Sequence, residues 1–304
     1  MAQDTTLRFD GAFTALVTPF FKGSIDLDAV DRLIDHQLAG GITGVVPCGT
    51  TGESPVLDAG EARTLVERVV ERVSGRALVI AGTGSNDTRK TIESTRAAAG
   101  AGADAAMIVM PYYNRPTQGG LVAHVRAVHD GTDLPLVLYN VPARTASDLG
   151  VEAIVEIAKH CPRVVALKEA SGNVLRTQSV VAALGDRISV LSGDDALTLG
   201  ILACGGRGVI SVTSNVAPAE VEGVVRAFHR GALDEARARH FALLALHDAM
   251  FVESNPGPVK AALHALGIVR PEVRLPLLWP SDESVRKILA VLSRFAALGS
   301  AARG

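Results

Sequence analysis

A lysine that closes an apolar run is the most reactive feature of the chain. Val164-Val165-Ala166-Leu167 is wholly apolar and runs directly into Lys168 and Glu169. An unpaired ammonium is costly to bury. Desolvation also favours the neutral amine, which attacks carbonyl carbons. Lys168 is therefore a candidate Schiff-base nucleophile. On these residues alone, a surface lysine paired with Glu169 is an equally open reading.

Three further segments carry groups that would serve such a lysine. Tyr139 ends the apolar run Leu136-Val137-Leu138, and its phenol can shuttle protons during imine formation or simply close a core. Arg144 follows on the next loop, where a planar guanidinium can grip a carboxylate with two parallel bonds. Cys48-Gly49-Thr50-Thr51-Gly52-Glu53-Ser54 combines small residues, paired hydroxyls and free amides. That combination suits a carboxylate or a proton relay, but standing alone the segment reads first as a turn whose Thr or Ser caps the next helix. In Met110-Pro111-Tyr112-Tyr113-Asn114-Arg115-Pro116, adjacent tyrosines point different ways, so one can enter a site while the other packs at an interface.

These segments need a scaffold that brings strand ends together. Short apolar runs recur at Ala12–Val17, Gly44–Pro47, Ala77–Ala81, Ala105–Met110, Leu136–Tyr139, Val164–Leu167, Ile188–Leu191 and Gly208–Val212. Amphipathic stretches lie between them, among them Leu27–Ala39, Gly60–Val73, Thr88–Gly100, Leu121–Asp130 and Val151–His160. Wholly apolar strands alternating with helices predict a parallel sheet covered on its outer face. Eight such units favour an α/β fold of the (β/α)₈ TIM-barrel type, whose active sites form at the carboxyl ends of the strands. An open doubly wound sheet is the alternative arrangement. Residues 1–225 are assigned to the barrel. Residues 226–304, with helical patterns at Leu233–Phe251, Val259–Leu266 and Asp282–Leu298, are assigned to a C-terminal helical extension packed on it. A further helical pattern, Ala219–Arg230, spans that boundary.

Composition narrows the function classes. The 304 residues are 48% hydrophobic and 20% charged with a formal net charge of −2, so a large core is available. No basic patch with interleaved aromatics predicts a nucleic-acid partner. Cys48, Cys161 and Cys204 have no CxxC spacing, which fits a reducing compartment. Met1–Asp10 is polar, and no apolar run is long enough for a membrane span, so a cytoplasmic protein is expected. The eight histidines lack metal-ligand spacing and are expected mostly on helix surfaces. Asp194-Asp195 reads as a helix N-cap after the seventh strand rather than a metal pair. Gly82-Thr-Gly-Ser-Asn-Asp87 lacks the third glycine of a dinucleotide fingerprint, and Gly205-Gly-Arg-Gly208 reads as a tight turn.

Taken together, Gly49–Ser54, Pro111–Pro116, Tyr139–Thr145, Leu167–Ser171, Ser192–Asp195, Gly208–Thr213 and Asn255-Pro-Gly-Pro-Val-Lys260 resemble the dihydrodipicolinate synthase / N-acetylneuraminate lyase family of class I aldolases. They fall in the family's order and span nearly the whole chain. The resemblance implies that Lys168 forms an imine with pyruvate, with Tyr139 as general acid/base. It implies a proton relay through Thr51 to Tyr113, the latter supplied by a neighbouring subunit across a tight dimer. Thr50 and Thr51, with the Ile210 carbonyl nearby, would hold the pyruvyl carboxylate and enamine. A homotetramer, as a dimer of dimers, is the implied assembly. With the imine as electron sink, the aldol step needs neither cofactor nor metal.

In one branch of this family the enamine attacks L-aspartate 4-semialdehyde, and the product feeds diaminopimelate and lysine synthesis. Arg144 favours that branch, as do the Tyr112-Tyr113 pair and the Asn255 segment. The alternatives are an aldolase, lyase or dehydratase for N-acetylneuraminate or a keto-deoxy sugar acid, and a silent barrel used for binding. Ser54, Asn86 and Tyr112 match an allosteric lysine site of the family. Ala59 and Ala62 stand where histidines occur in some lysine-sensitive members, and Lys90 stands in place of an acid. A cation there would repel the inhibitor's ammonium, so weak or absent lysine inhibition is expected.

Overall fold

Small and β-branched residues in short runs, buried on both faces, form the strands of the computed structural model. It describes residues 9–301, with side chains described to residue 295. The reading of Met1–Asp10 thus lies mostly outside the described residues. In chain order the strands are β1 (Gly11–Ala15), β2 (Phe20–Phe21), β3 (Ser24–Ile25), β4 (Gly44–Val46), β5 (Leu78–Gly82), β6 (Ala105–Val109), β7 (Leu136–Asn140), β8 (Val164–Glu169), β9 (Ser189–Ser192) and β10 (Gly208–Ser211). Eight of them close into a parallel barrel in the order β1-β10-β9-β8-β7-β6-β5-β4, with β4 returning to β1. β2 and β3 form a separate two-stranded hairpin, too short to show as a pattern in the sequence.

Side chains of a strand alternate between faces, and the barrel sorts them accordingly. Phe13, Val46, Ile80, Met107, Val137, Ala166, Leu191 and Ile210 fill the interior. Leu136, Leu138, Val164 and Leu167 face outward against helices. Closure demands glycine where strands meet closely: a Cβ on Gly208 would lie 1.9 Å from the Gly11 carbonyl oxygen.

Helices Leu27–Ala39, Thr88–Gly100 and Val151–His160 have the bounds that their apolar spacing predicts. Two strands run longer than their apolar runs. β7 continues through Asn140 and β8 through Glu169, because the parallel ladder pairs Tyr139 with Lys168 and Asn140 with Glu169 irrespective of side-chain polarity. The helix Pro218–His229 passes through residue 225 without a break. After it, Leu233–Ala249, Gly257–Ala265 and Asp282–Ala301 pack on the barrel helices and on one another.

Candidate active site

Lys168 is buried on β8 with Tyr139 on β7 and Leu191 on β9 as its register neighbours. Ala166, two residues earlier, faces the barrel interior, so strand alternation turns Lys168 inward and Glu169 outward. The ammonium nitrogen stands 4.2 Å from the centre of the Tyr139 ring, within reach of a cation–π contact.

Glu169 does not pair with the lysine. Its carboxylate accepts from the Ser171 amide at 2.7 Å and from Asn140 Nδ2 at 3.3 Å, with Arg176 Nε at 3.8 Å. Asn140 also donates to Asp148 at 3.0 Å, and Asp148 holds Arg176 at 2.6 Å. The residues that follow Tyr139 and Lys168 thus cross-link the two strand ends from outside.

The loop after β4 folds back on itself. Gly52 and Ser54 donate their amides to the Gly49 carbonyl at 3.0 and 3.3 Å, and Thr18 Oγ1 donates to the Gly52 carbonyl at 2.6 Å. Cys48 and Glu53 both hold positive φ, 57° and 55°. Gly82 on β5 is required here: a Cβ would sit 2.1 Å from the Cys48 carbonyl oxygen. Thr51 is buried, Thr50 half-buried. Neither they nor Ser54 cap the following helix; Asp58 does, in a capping box with Glu61. Burial pushes the Cys48 thiol up to about 12, which removes it as a nucleophile.

Thr51 Oγ1 accepts a hydrogen bond from Asn255 Nδ2 at 2.9 Å. Among the described residues its hydroxyl bonds neither tyrosine. Tyr113, on the loop after β6, is 90% exposed with φ 72°, whereas its neighbour Tyr112 is half-buried. Arg144 is exposed on the single helical turn Pro142–Thr145 that follows β7, and Ile210 lies in the barrel interior on β10. Ser54, Asn86 and Tyr112 occupy the loops after β4, β5 and β6 and are each partly buried. Asn114 Nδ2 donates to the Asn86 carbonyl at 2.8 Å and ties the last two loops together.

Several polar groups near the site escape a strand-by-strand reading. Glu53 and Lys260 form a buried ion pair at 2.5 Å between the β4 loop and the C-terminal helices. Lys260 also donates to the Glu272 carbonyl at 2.9 Å, and burial pushes its pKa down against the pull of Glu53. Asp194 caps the turn Asp195–Leu197 as expected, but Asp195 is buried. It accepts from Ser211 Oγ and from the Val212 and Thr213 amides at 2.5, 2.9 and 3.2 Å. The histidine expectation needs correction. His124, His129, His240 and His247 are buried, because their helix positions face the barrel or neighbouring helices; His124 bonds Thr88 at 2.9 Å and His247 bonds Thr213 at 2.8 Å. Among the described residues no cluster of three His, Cys, Asp or Glu could hold a metal, and no helix is long and apolar enough to cross a membrane.

The chain is similar to known proteins over nearly its full length. It is 54% identical over 290 residues to the 4-hydroxy-tetrahydrodipicolinate synthase of Sorangium cellulosum, covering 95% of this chain and 96% of that protein. The solved dihydrodipicolinate synthase of Aquifex aeolicus superposes with a TM-score of 0.93 at 43% identity, covering 95% of this chain and 98% of that one. The chloride-inhibited enzyme of Acinetobacter baumannii, solved in complex with pyruvate, gives 0.93 at 37% identity, with 95% and 99% covered. Residues 8–294 match the dihydrodipicolinate synthetase family model, and the chain belongs to that family.

Proposed function

We propose that the chain is a Schiff-base lyase that condenses pyruvate with L-aspartate 4-semialdehyde. The product is 4-hydroxy-tetrahydrodipicolinate, in the diaminopimelate and lysine route. The relatives' activity supports the reaction. The observation that carries the residue roles is the buried Lys168 amine beside the Tyr139 ring, with Glu169 engaged elsewhere.

The Lys168 amine adds to the keto carbon of pyruvate, and the carbinolamine loses water to give the imine, with Tyr139 protonating the departing hydroxyl. Loss of a methyl proton yields the enamine. Its carbon forms the new bond to the aldehyde carbon, and the aldehyde oxygen takes up a proton. The amino group of that substrate then adds to the imine carbon, closing the ring and expelling the Lys168 amine. Tyr139, Thr51 and a Tyr113 reaching in from a neighbouring copy carry these protons. Thr50 and the backbone amide of Thr51 hold the pyruvyl carboxylate, with the Ile210 carbonyl beside the enamine. Arg144 grips the carboxylate of the aldehyde substrate.

The exposure of Tyr113 supports a homo-oligomer in which this side chain is covered, a tetramer built as a dimer of dimers. Three free cysteines support a cytoplasmic, reducing setting. Ser54, Asn86 and Tyr112 form the remnant of a lysine site that Lys90 disables.

The test is turnover of pyruvate with L-aspartate 4-semialdehyde, coupled to the following reductase. Arg144→Ala should raise KM for the aldehyde by about a hundredfold and leave pyruvate binding intact, as expected for loss of a charged partner. No turnover, with pyruvate still trapped on Lys168, would move the second substrate to a sugar acid or another keto-acid partner.

A further inference from the structure

A threonine hydroxyl has one proton and two acceptor lone pairs. To pass a proton between two tyrosines it must accept from one and donate to the other. A free hydroxyl rotates among several arrangements, and most of them break such a chain. Thr51 is not free in this way. Asn255 Nδ2 donates to its oxygen at 2.9 Å, and an amide nitrogen cannot accept in return. One lone pair is thereby occupied. What remains is one lone pair and one proton, the minimum set for a one-in, one-out link.

The contact is held from both sides by a single buried ion pair. Glu53 lies two residues after Thr51 on the β4 loop, and Lys260 lies on the helix Gly257–Ala265 that follows Asn255. Their charged atoms meet at 2.5 Å with both side chains all but fully buried. The second carboxylate oxygen of Glu53 accepts from the Arg274 amide at 2.9 Å. A buried ion pair is a weak source of stability, and its best-attested use is to fix register. Here it sets the helix against the loop at the point where Asn255 reaches Thr51. Asn255 Oδ1 is itself buried without a partner, so among the described residues the contact with Thr51 is the hydrogen bond that the side chain makes.

We infer that Asn255 is a positioning residue for the reaction: it sets the direction of the Thr51 hydroxyl and so the polarity of the proton relay. The inference rests on the Tyr139–Thr51–Tyr113 relay of the proposed function. The C-terminal helices then serve the chemistry as well as the packing, and Asn255 acts without touching substrate.

The test compares Asn255→Ala, Asn255→Asp and Tyr113→Phe in the intact oligomer. The readouts are kcat, KM for pyruvate, borohydride-trapped adduct on Lys168, and exchange of the pyruvate methyl protons with deuterated water. Asn255→Ala should lower kcat and methyl exchange together by about tenfold, in the range of a proton-transfer contribution. KM for pyruvate should stay within about twofold and the adduct should still form. Asn255→Asp is isosteric but only accepts, so it draws the Thr51 proton to itself and should be slower than the alanine variant. A space-filling role predicts the opposite order, and that order would overturn the inference. If Asn255→Asp does not fold, unchanged kcat and exchange in Asn255→Ala overturn it equally well. Tyr113→Phe tests the relay separately: full activity there removes the underlying reading, whereas a slow Tyr113→Phe beside fully active Asn255 variants removes only the role of Asn255.

Discussion

Tyr139 and Lys168 are register partners on adjacent parallel strands, and the lysine nitrogen stands 4.2 Å from the tyrosine ring centre. Each is followed by a polar residue on the outer face, Asn140 and Glu169, and these two hydrogen-bond at 3.3 Å. The pair inside the barrel is thus aligned by a second pair outside it. Lys168→Ala should abolish the borohydride-trapped pyruvate adduct and lower turnover by at least about a thousandfold, the scale of losing a covalent nucleophile. Mass spectrometry of the trapped protein checks this; an undiminished adduct would mean that another lysine reacts.

The Glu53–Lys260 pair makes a stability prediction with a built-in control. Lys260→Met alone strands a buried carboxylate and should lower stability by about 3–5 kcal/mol. Combining it with Glu53→Leu should recover most of that loss, because apolar side chains replace a buried ion pair at little cost. Denaturant midpoints of the two variants decide the matter. The double variant should still turn over slowly, since the β4 loop has lost its register with the segment that carries Asn255.

Buried imidazoles should make the fold sensitive to mild acid. Burial holds His124, His240 and His247 below the ordinary value of 6.5, with the neighbouring His247 adding to the effect at His240. Below pH 6.5 the unfolded chain binds protons that the native rings still refuse, so stability is full above that value and falls as pH drops through it. Urea midpoints at pH 7.5, 6.5 and 5.5 measure the slope. His124→Gln, which keeps a polar atom near Thr88, should flatten it; an unaltered slope in a His124→Gln, His240→Gln, His247→Gln triple variant would exclude these rings as its source.

Lysine should inhibit weakly or not at all. Lys90 lies exposed in the first turn of Thr88–Gly100, where its charge adds to the positive end of the helix. An approaching ammonium meets repulsion from both. Half-inhibition at sub-millimolar lysine would contradict this, and Lys90→Glu should lower the lysine concentration needed for any effect.

The barrel could be read from residue order because parallel strands buried on both faces are unbroken apolar runs that alternate with helices, several of them opened by a side-chain cap such as Asp26, Asp58, Asp87, Thr117 or Asn173. Leu27–Ala39, with Asp26 before it and Gly40 after it, carries all its signals locally. Lys168 and Tyr139 stood out for the same reason, as polar groups ending apolar runs. Tertiary structure alone decided what those groups meet. Whether Lys168 pairs with Glu169 depends on strand alternation and on Arg176 and Asn140 filling the outer side. Which helix histidines are buried depends on the face each helix turns to the barrel. Asn255 reaches Thr51 across 204 positions, and no local pattern encodes a contact of that span. Periodicity records what a residue's neighbours in the chain require of it; a hydrogen bond between distant segments exists only once the barrel has closed and the last helices have packed against the mouth of its second strand.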